Sequence, residues 1–510
     1  MFFTSRPLRM SMNPIKRIML LLTLSAVVPT KALDARVKRE MQRQQKITAK
    51  EVAHWQLDQA ESSLIRQELA NDGDVQYTGK LTVGGQTMDA VLDTGSFDLL
   101  VFSQRCYLCG DQYRLFNESM SPELELTEFR MDHSFGSGST KSLQAYDTVS
   151  LGTLTSKRQS FWDVYEAAMP ILRDATFQAI LGCGPPMSSV KMALEEEDEL
   201  KEIIESKKRN GEPIPAEMNQ ELDHYIAASE VAKETPGLVS QLGIQYFSIC
   251  LGQVPGSKGY FIWNDYDPQA SMTNFVQVPV VGDLYWSAEL TDVGFNLNSQ
   301  QQEPMMLGCG AGRCSAVLDS GTSLIVVPPM AMAALQGALR TLSLTANCSD
   351  LSGLPDLEFR LDGKLFTLPP SSYMGEVSGS LPSELSHLMP HVPVQRPSLL
   401  QDQQQCVPLL MTLDADTQFG PLWVFGLPFF RRYYSTFELG PSSDDDSHFV
   451  AKSMSFALAD EDCNLRMGAQ LESHMSDRSK HQAIKVKGSK LRAPRWMYKR
   501  SKTGRKYIHV

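Results

Sequence analysis

One short motif occurs twice in this 510-residue chain, and it constrains the fold more than any other feature. The first copy is Ala90-Val-Leu-Asp-Thr-Gly-Ser96, and the second is Ala316-Val-Leu-Asp-Ser-Gly-Thr322. In each copy an apolar strand-like run leads into Asp, then a small hydroxyl residue, then Gly. Each copy is followed at a distance by an apolar segment that ends in Gly, Ala179-Ile-Leu-Gly182 and Trp423-Val-Phe-Gly426. The chain therefore contains two copies of one motif pair, one in each half.

The duplicated Asp predicts chemistry as well as structure. A single Asp-Thr-Gly is most often a turn, but a carboxylate at the end of an apolar strand is costly unless it is paired or hydrogen-bonded. Two such carboxylates across a pseudo-two-fold axis would share one proton, because adjacent like charges cannot both ionise. The ionised member would take a proton from a water while the protonated member polarises a peptide carbonyl. Asp93 and Asp319 are therefore the candidate catalytic pair.

Composition and spacing argue against other functions. The formal net charge of −11 disfavours binding to nucleic acid. The chain has no Gly-x-Ser-x-Gly elbow, and its nine His have no metal-binding spacing, so we expect neither a metal nor a cofactor. A glycosidase also uses two carboxylates, but it would not need them in duplicated Asp-[Ser/Thr]-Gly turns.

The two motifs, with other stretches in the same order, resemble the pepsin-like aspartic proteases from about residue 76 to residue 457, apart from an insertion at 187–235. The other stretches are Phe135-Gly-Ser-Gly-Ser139, Phe177-Gln-Ala-Ile-Leu-Gly182, Leu238-Val-Ser-Gln241 and Phe425-Gly-Leu-Pro-Phe-Phe430. The resemblance implies an all-β, bilobal fold with two pseudo-symmetric β lobes, at 71–250 and 251–465, and a central cleft. It also implies an endopeptidase that cuts internal bonds between bulky apolar residues at acid pH.

The same resemblance implies roles around the catalytic pair. Thr94 and Ser320 would make reciprocal hydrogen bonds that lock the two loops together. Ser96 and Thr322 would hydrogen-bond the outer carboxylate oxygens and hold the pair in one plane. The remaining supporting positions are Gly95 and Gly321.

A second site region follows from the resemblance, the flap hairpin that closes over substrate. Phe135, Gly136 and Ser137 would form its tip. The chain departs from the family here, because Phe135 stands where Tyr is usual and Leu100 stands where Trp is usual. Both partners of a common hydrogen bond are thus missing together. We expect the two changes to compensate and the pocket beneath the flap to be more apolar than usual.

The nine cysteines predict disulfides, provided that the chain enters an oxidising compartment. Cys106-x-x-Cys109 taken alone could also be half of a zinc site or a redox motif. The family resemblance implies three bridges, Cys106–Cys109, Cys309–Cys314 and Cys348–Cys406. Cys183, Cys250 and Cys463 are left over, and the sequence leaves open whether Cys183 and Cys250 are buried thiols or a fourth bridge.

The N-terminus predicts secretion. Basic residues precede an apolar run over 18–28 that is too short to span a bilayer, so residues 1–32 are interpreted as a signal peptide. The basic, Gln-rich segment 33–70 has helical spacing and lies where a propeptide would be. We expect it to occupy the acidic cleft of a zymogen as an intramolecular inhibitor. The sequons at Asn117 and Asn347 are then glycosylation acceptors.

Two regions have no counterpart in the family's basic fold. The charged insertion at 187–235 has a narrow apolar stripe, which predicts helices on the exposed surface. The tail at 466–510 is basic: residues 476–510 carry a net +11, which leaves −22 for the rest of the chain. We expect the tail to be disordered, and the alternative is an electrostatic anchor to anionic lipid or back onto the acidic body.

These observations predict a monomeric aspartic endopeptidase that acts on proteins or peptides. It would enter the secretory pathway and be secreted or reach an acidic endolysosomal or vacuolar compartment. The alternative from another class is a non-catalytic binding protein with the same fold. That alternative would predict a lost Asp or a disrupted loop, and both loops are intact in the sequence.

Overall fold

The structure is a computed structural model, and it describes residues 64–270, 275–297, 303–310, 312–341, 348–382, 385–389, 405–442, 449–466, 483–494 and 508–510. The predicted signal peptide, the propeptide up to residue 63 and the sequon at Asn347 lie outside these residues. None of the described helices is both long and apolar enough to cross a membrane.

The described residues are mostly β-strands. The strands up to residue 263 are β1 (Ile65–Asn71), β2 (Tyr77–Val83), β3 (Gln86–Asp93), β4 (Leu99–Phe102), β5 (Glu125–Phe135), β6 (Gly138–Leu151), β7 (Leu154–Ala168), β8 (Ala179–Gly182), β9 (Tyr246–Leu251) and β10 (Gly259–Trp263). Those that follow are β11 (Val276–Pro279), β12 (Ser287–Phe295), β13 (Met305–Gly308), β14 (Cys314–Leu318), β15 (Ile325–Val327), β16 (Leu357–Leu361), β17 (Lys364–Leu368), β18 (Met374–Ser378), β19 (Gln405–Pro408), β20 (Leu410–Thr412), β21 (Asp416–Thr417), β22 (Gly420–Phe425), β23 (Tyr433–Pro441), β24 (Phe449–Leu458) and β25 (Ile484–Lys487).

These strands form three sheets within the described ranges. The largest runs β11-β24-β23-β9-β10-β1-β2-β3-β8-β4-β7-β6-β5, so it joins strands from both halves of the chain. The second runs β17-β16-β12-β14-β22-β15-β20, with β13 beside β12 and β21 beside β22. The third is β19-β18-β25. The predicted all-β, bilobal fold is confirmed.

The sequence repeat corresponds to a repeated strand arrangement. In the first half β3 pairs in parallel with β8, and β4 pairs antiparallel to β8. In the second half β14 pairs in parallel with β22, and β15 pairs antiparallel to β22. Each apolar-Gly segment of the repeat is therefore the strand that supports its own Asp motif from behind. β8 and β14 are buried along their whole length, and β3 is buried from Ala90 to Asp93, because sheet neighbours and core side chains cover them.

Most of the described helical residues lie in the insertion. The helices are α1 (Ser188–Asn210), α2 (Ala216–Glu234), α3 (Leu238–Gln241), α4 (Pro329–Thr341), α5 (Pro370–Tyr373) and α6 (Leu427–Arg432). The sequence predicted an exposed surface insertion, and the structure adds contacts on one side of it. The narrow stripe of α1 buries Leu200 and Ile204, and His224 of α2 stacks on Phe129 of β5 at 5.5 Å. The insertion therefore packs on the first half of the protein, although its outer face is exposed.

The structure contains the bridges Cys106–Cys109, Cys309–Cys314 and Cys348–Cys406. It also contains a fourth bridge, which joins Cys250 of β9 to Cys463 across 213 residues of sequence. Cys183 remains a buried thiol. The question left open by the sequence is thus answered by the fold, because Cys250 lies opposite the loop after β24 and not opposite Cys183.

Two boundary predictions are corrected. Residues 65–70, assigned to a helical propeptide, form β1, because Ile65–Leu69 pair with β10 and Ala70–Asn71 with β2. The prediction of a disordered tail is wrong for residues 483–494. Ile484–Lys487 form β25 in parallel with β18, and Ile484, Val486 and Leu491 are buried. Apolar side chains alternate with basic ones in this stretch, so one face can join the core while the charged face reaches acidic partners.

Candidate active site

The repeat brings the two predicted carboxylates together. Asp93 is the last residue of β3 and lies opposite Gly182 of β8. Asp319 directly follows β14, and its backbone N–H donates to the carbonyl of Phe425 at 3.0 Å. Both residues are buried, with 4% and 1% of their surface exposed. The two matched strand ends thus deliver two buried carboxyl groups to one place.

Each carboxyl group receives the same two hydrogen bonds from its own loop. The Gly95 N–H donates to Asp93 Oδ1 at 2.9 Å, and the Ser96 hydroxyl donates to Oδ2 at 2.8 Å. The Gly321 N–H donates to Asp319 Oδ1 at 2.7 Å, and the Thr322 hydroxyl donates to Oδ2 at 2.6 Å. These donors fix the rotation of each carboxyl group, and they stabilise its ionised form.

Thr94 and Ser320 connect the two loops. The Thr94 hydroxyl donates to the carbonyl of Leu318 at 2.8 Å, and the Ser320 hydroxyl donates to the carbonyl of Leu92 at 2.7 Å. The backbone N–H of each residue donates to the hydroxyl of the other, at 3.0 and 2.9 Å. Four hydrogen bonds therefore join segments that are about 226 residues apart.

The glycine in each motif is required by the close approach of the opposite carboxyl group. A Cβ atom on Gly95 would lie 2.5 Å from Asp319 Cγ, and one on Gly321 would lie 2.1 Å from Asp93 Oδ1. Real Cβ atoms are not found so close to other heavy atoms. Any side chain at either position would therefore push the two carboxyl groups apart.

The surroundings make Asp319 the better holder of the proton. Burial, followed by the negative charge of Asp93, raises its pKa from the ordinary value of 3.8 to about 8. The hydrogen bonds from Thr322 and Gly321 act in the opposite direction but do not cancel this rise. Asp319 can therefore hold a proton at neutral pH, and it is the member of the pair that can act as the acid.

The predicted flap is the hairpin of β5 and β6. Phe135 pairs with Gly138, which leaves Gly136 and Ser137 at the tip. Phe135 and Leu100 are both buried in one apolar cluster, together with Phe102, Val164, Phe177 and Ile180. Leu100 lies opposite Trp162 of β7, so an indole ring borders this cluster from a position other than the one usual in the family.

A double-mutant cycle tests whether the two departures compensate. We expect Phe135→Tyr alone to lower kcat/KM, because the Tyr hydroxyl would enter the apolar cluster without a partner. The loss should correspond to at most about 1–3 kcal/mol of activation free energy. Adding Leu100→Trp should recover part of that loss by supplying an N–H group. Peptide hydrolysis by the four proteins measures the coupling free energy. Strictly additive effects would show that the two positions act independently.

A cavity of about 370 Å³ lies beside the first loop. Its lining includes Phe97, Trp162, Met192 and Tyr285, and the Phe97 and Tyr285 rings are 5.1 Å apart. Phe97 directly follows Ser96, so the cavity begins next to the loop that carries Asp93. Met192 belongs to α1, and the insertion therefore supplies part of the wall, which the sequence did not indicate.

The structure also places basic residues at the site that sequence reasoning did not assign to it. Residues 484–494, which we call the cleft segment, pass between the second loop and the flap tip. Arg492 lies 3.9 Å from Asp93, between the guanidinium Nη2 and Oδ2, and it is buried. The contrast between the +11 tail and the acidic body was the one sequence signal of this contact.

The geometry defines a class of protein, and comparisons with known proteins agree with it. The family model described as eukaryotic aspartyl protease matches residues 76–207 and 224–443. The unmatched residues between the two ranges lie at the junction of α1 and α2 in the insertion. Since the match covers more than half of the chain, this protein belongs to the eukaryotic aspartyl proteases, and it is an aspartic endopeptidase.

Individual relatives have low sequence identity to this chain, but the alignments cover most of both proteins. The chain is 27% identical to pepsin A of Rhinolophus ferrumequinum over 393 residues, which cover 75% of this chain and 84% of that protein. It is 26% identical to pepsin A of Sus scrofa over 387 residues, covering 74% and 82%. It is 26% identical to cathepsin E of Rattus norvegicus over 385 residues, covering 74% and 80%.

Proposed function

We propose that Asp93 and Asp319 hydrolyse internal peptide bonds by general acid–base activation of a water. Asp319 donates its proton toward the scissile carbonyl oxygen while ionised Asp93 takes a proton from the attacking water. The observation that carries this proposal is the matched hydrogen bonding of two buried carboxyl groups, of which one has a strongly raised pKa. The intact loops also argue against the alternative of a non-catalytic binding protein.

The supporting residues act on geometry. Thr94 and Ser320 hold the two loops at a constant separation through their four hydrogen bonds. Ser96 and Thr322 keep the carboxyl groups in the orientation in which they can share one proton. Such preorganisation matters because small misplacements of reacting groups cost large factors in rate.

We also propose a preference for bulky apolar side chains next to the scissile bond. The support is the set of large apolar and aromatic side chains in the mixed wall of the cavity, Phe97, Trp162, Met192 and Tyr285, and the apolar cluster around Phe135. A mixed peptide library, digested at several pH values, tests this preference, and cleavage centred on charged or small residues would contradict it.

We further propose an acid working range, for which the raised pKa of Asp319, about 8, sets the alkaline limit. We expect kcat/KM to fall above about pH 8, where Asp319 loses its proton. Thr322→Val removes a donor that favours the ionised form, so it should raise the pKa of Asp319 and move this alkaline limb to higher pH. A pH profile of kcat/KM for both proteins measures the shift. An identical limb in the two proteins would contradict the assignment of the proton to Asp319.

The remaining expectations concern processing. A signal peptide at 1–32, a zymogen form and entry into the secretory or endolysosomal route are proposals that rest on the sequence and on the relatives. Asn117 is half-buried and its side-chain oxygen accepts the N–H of Ser119, so a glycan there would project from the short helix Glu118–Met120. Glycosidase-sensitive mobility of the protein, lost in Asn117→Gln, tests this site.

A further inference from the structure

The cleft segment lies where a substrate would lie. The Arg492 N–H donates to the Ser323 hydroxyl at 2.8 Å, and the Ser323 N–H donates to the Arg492 carbonyl at 3.1 Å. Ser323 is the residue directly after Thr322 in the second catalytic loop. The loop that carries Asp319 therefore binds both backbone polar groups of Arg492, one through the Ser323 N–H and one through the Ser323 hydroxyl.

The flap covers the other side of the cleft segment. A Cβ atom on Gly136 would lie 2.1 Å from the Pro494 carbonyl oxygen and 2.7 Å from the Ala493 carbonyl carbon. The flap tip thus touches the backbone of the cleft segment two residues after Arg492. Because Arg492 contacts the catalytic loops and Pro494 contacts the flap, the cleft segment fills the gap between them.

Charge complementarity fixes the cleft segment along its length. Lys490 contacts both carboxylate oxygens of Asp72 at 2.5 Å, and Lys485 lies 3.4 Å from Glu376. The Arg492 guanidinium faces Asp93 and also interacts electrostatically with Asp319. Burial lowers the pKa of Arg492, and the two aspartates offset part of this effect. The cation is thus held in a desolvated site by the catalytic carboxyl groups themselves.

Apolar anchors complete the attachment. Leu491 is fully buried and Ala493 nearly so, in a cluster that contains Val75 and Leu324. At the other end, β25 adds a parallel strand to β18. The cleft segment is therefore held by strand pairing, by buried side chains and by ion pairs at once. Its removal from the cleft must break all three.

We propose that the cleft segment is an intramolecular inhibitor, which keeps substrate out of the cleft until it is displaced. This inference rests on the proposed function of Asp93 and Asp319. Inhibition follows from occupancy: the cleft segment uses the hydrogen-bonding groups of Ser323 and the space beneath Gly136, and the Arg492 guanidinium pairs with Asp93. The inhibitor is thus supplied by the basic tail, in addition to any contribution from residues 33–63.

The first test uses charge reversal in the full chain. Arg492→Glu places a negative charge against Asp93 and should expel the cleft segment, whereas Arg492→Lys keeps a cation and should retain most of the inhibition. Lys487→Glu reverses a charge within the same cleft segment and is the matched control, because the side chain of Lys487 is exposed on β25 and is not part of the contacts with Asp93, Ser323 or Gly136. We expect the rate of peptide cleavage to rise about tenfold or more in Arg492→Glu, since each 1.4 kcal/mol lost from the closed state is a factor of ten. Lys487→Glu should behave as the wild type.

The second test avoids changes to buried residues. A recognition sequence for an unrelated site-specific protease is inserted within residues 467–482. The rate of peptide cleavage by one preparation is then compared before and after cutting. A synthetic peptide of residues 483–494 is then added back. Because a tethered segment acts at an effective concentration on the order of 1 mM, a peptide that binds with Kd about 10 µM in trans implies about 100-fold suppression in cis.

Amide hydrogen exchange separates this inference from the proposed function, because it needs no catalysis. Faster exchange at Ser323 and in the flap tip of Arg492→Glu and of the cut chain supports occupancy of the cleft. If these opened proteins exchange faster yet cleave no peptide, the cleft segment does occupy the cleft and the proposed catalysis fails. If exchange and cleavage both stay at the level of the intact wild type, the inference is overturned.

Discussion

Replacing Asp93 or Asp319 by Asn is expected to lower kcat/KM for peptide hydrolysis by a factor on the order of 10⁴. An amide cannot accept the proton of the attacking water, and it cannot share a proton with the partner carboxyl group. Each Asn keeps the size of the Asp, so the strands and the loops of the repeat have no steric reason to move. Hydrolysis of a quenched fluorescent peptide measures the loss, in the intact chain and in the chain from which the cleft segment has been released.

Asp283→Asn is the matched control for this pair. Asp283 has an exposed side chain that pairs with Lys191, and it takes no part in the proposed chemistry. We expect its kcat/KM to equal that of the wild type. Retention of more than about a tenth of the activity in either catalytic variant would refute the assignment, because general acid–base groups contribute at least about 10².

A stability measurement shows that the catalytic variants remain folded. The pKa of Asp319 is raised in the folded protein from 3.8 to about 8, so the fold favours the protonated carboxyl group. The stability of the wild type should therefore fall, relative to Asp319→Asn, as the pH rises from about 4 towards 8. At pH 7 the variant should be more stable by roughly 2–4 kcal/mol, and the difference should vanish below about pH 4. Thermal unfolding at several pH values measures this trend.

Removing the Cys250–Cys463 bridge is expected to cost more stability than removing any other disulfide of the described structure. The bridge spans 213 residues, compared with 58 for Cys348–Cys406. On the chain-entropy model the longer loop corresponds to about 5 kcal/mol, and the shorter one to about 4 kcal/mol. The bridge also ties β9, in the middle of the largest sheet, to the chain that follows β24.

The measurement is urea unfolding of the double variant Cys250→Ala and Cys463→Ala under non-reducing conditions. Alanine is chosen because both sulfur atoms are buried in an apolar cluster. The control removes Cys106–Cys109, which closes a loop of only three residues and should cost about 1–2 kcal/mol. An equal or larger loss in that control would contradict the loop-length argument for this protein.

The candidate catalytic pair could be predicted from the sequence because each half of the site is local. Asp93 and its donors Gly95 and Ser96 lie within four consecutive residues, and Asp319, Gly321 and Thr322 repeat the arrangement. A backbone turn and two donors are encoded by residue type at fixed spacing, and duplication implies the two-fold relation. The flap and the supporting strands followed from the same ordered motifs.

The sequence alone determined the class of fold, the class of protease and the identity of the two candidate carboxyl groups, because short contiguous patterns carry them. Tertiary structure decided what depends on contacts between distant residues: the partner of Cys250, the packing of α2 on β5, and the position of the basic tail. The tail shows the physical reason most clearly. Its composition indicates attraction to the acidic body, but net charge does not specify a position. Burial of Leu491, the two hydrogen bonds between Ser323 and the Arg492 backbone, and the contact with Gly136 at the flap tip place it in the cleft beside Asp93.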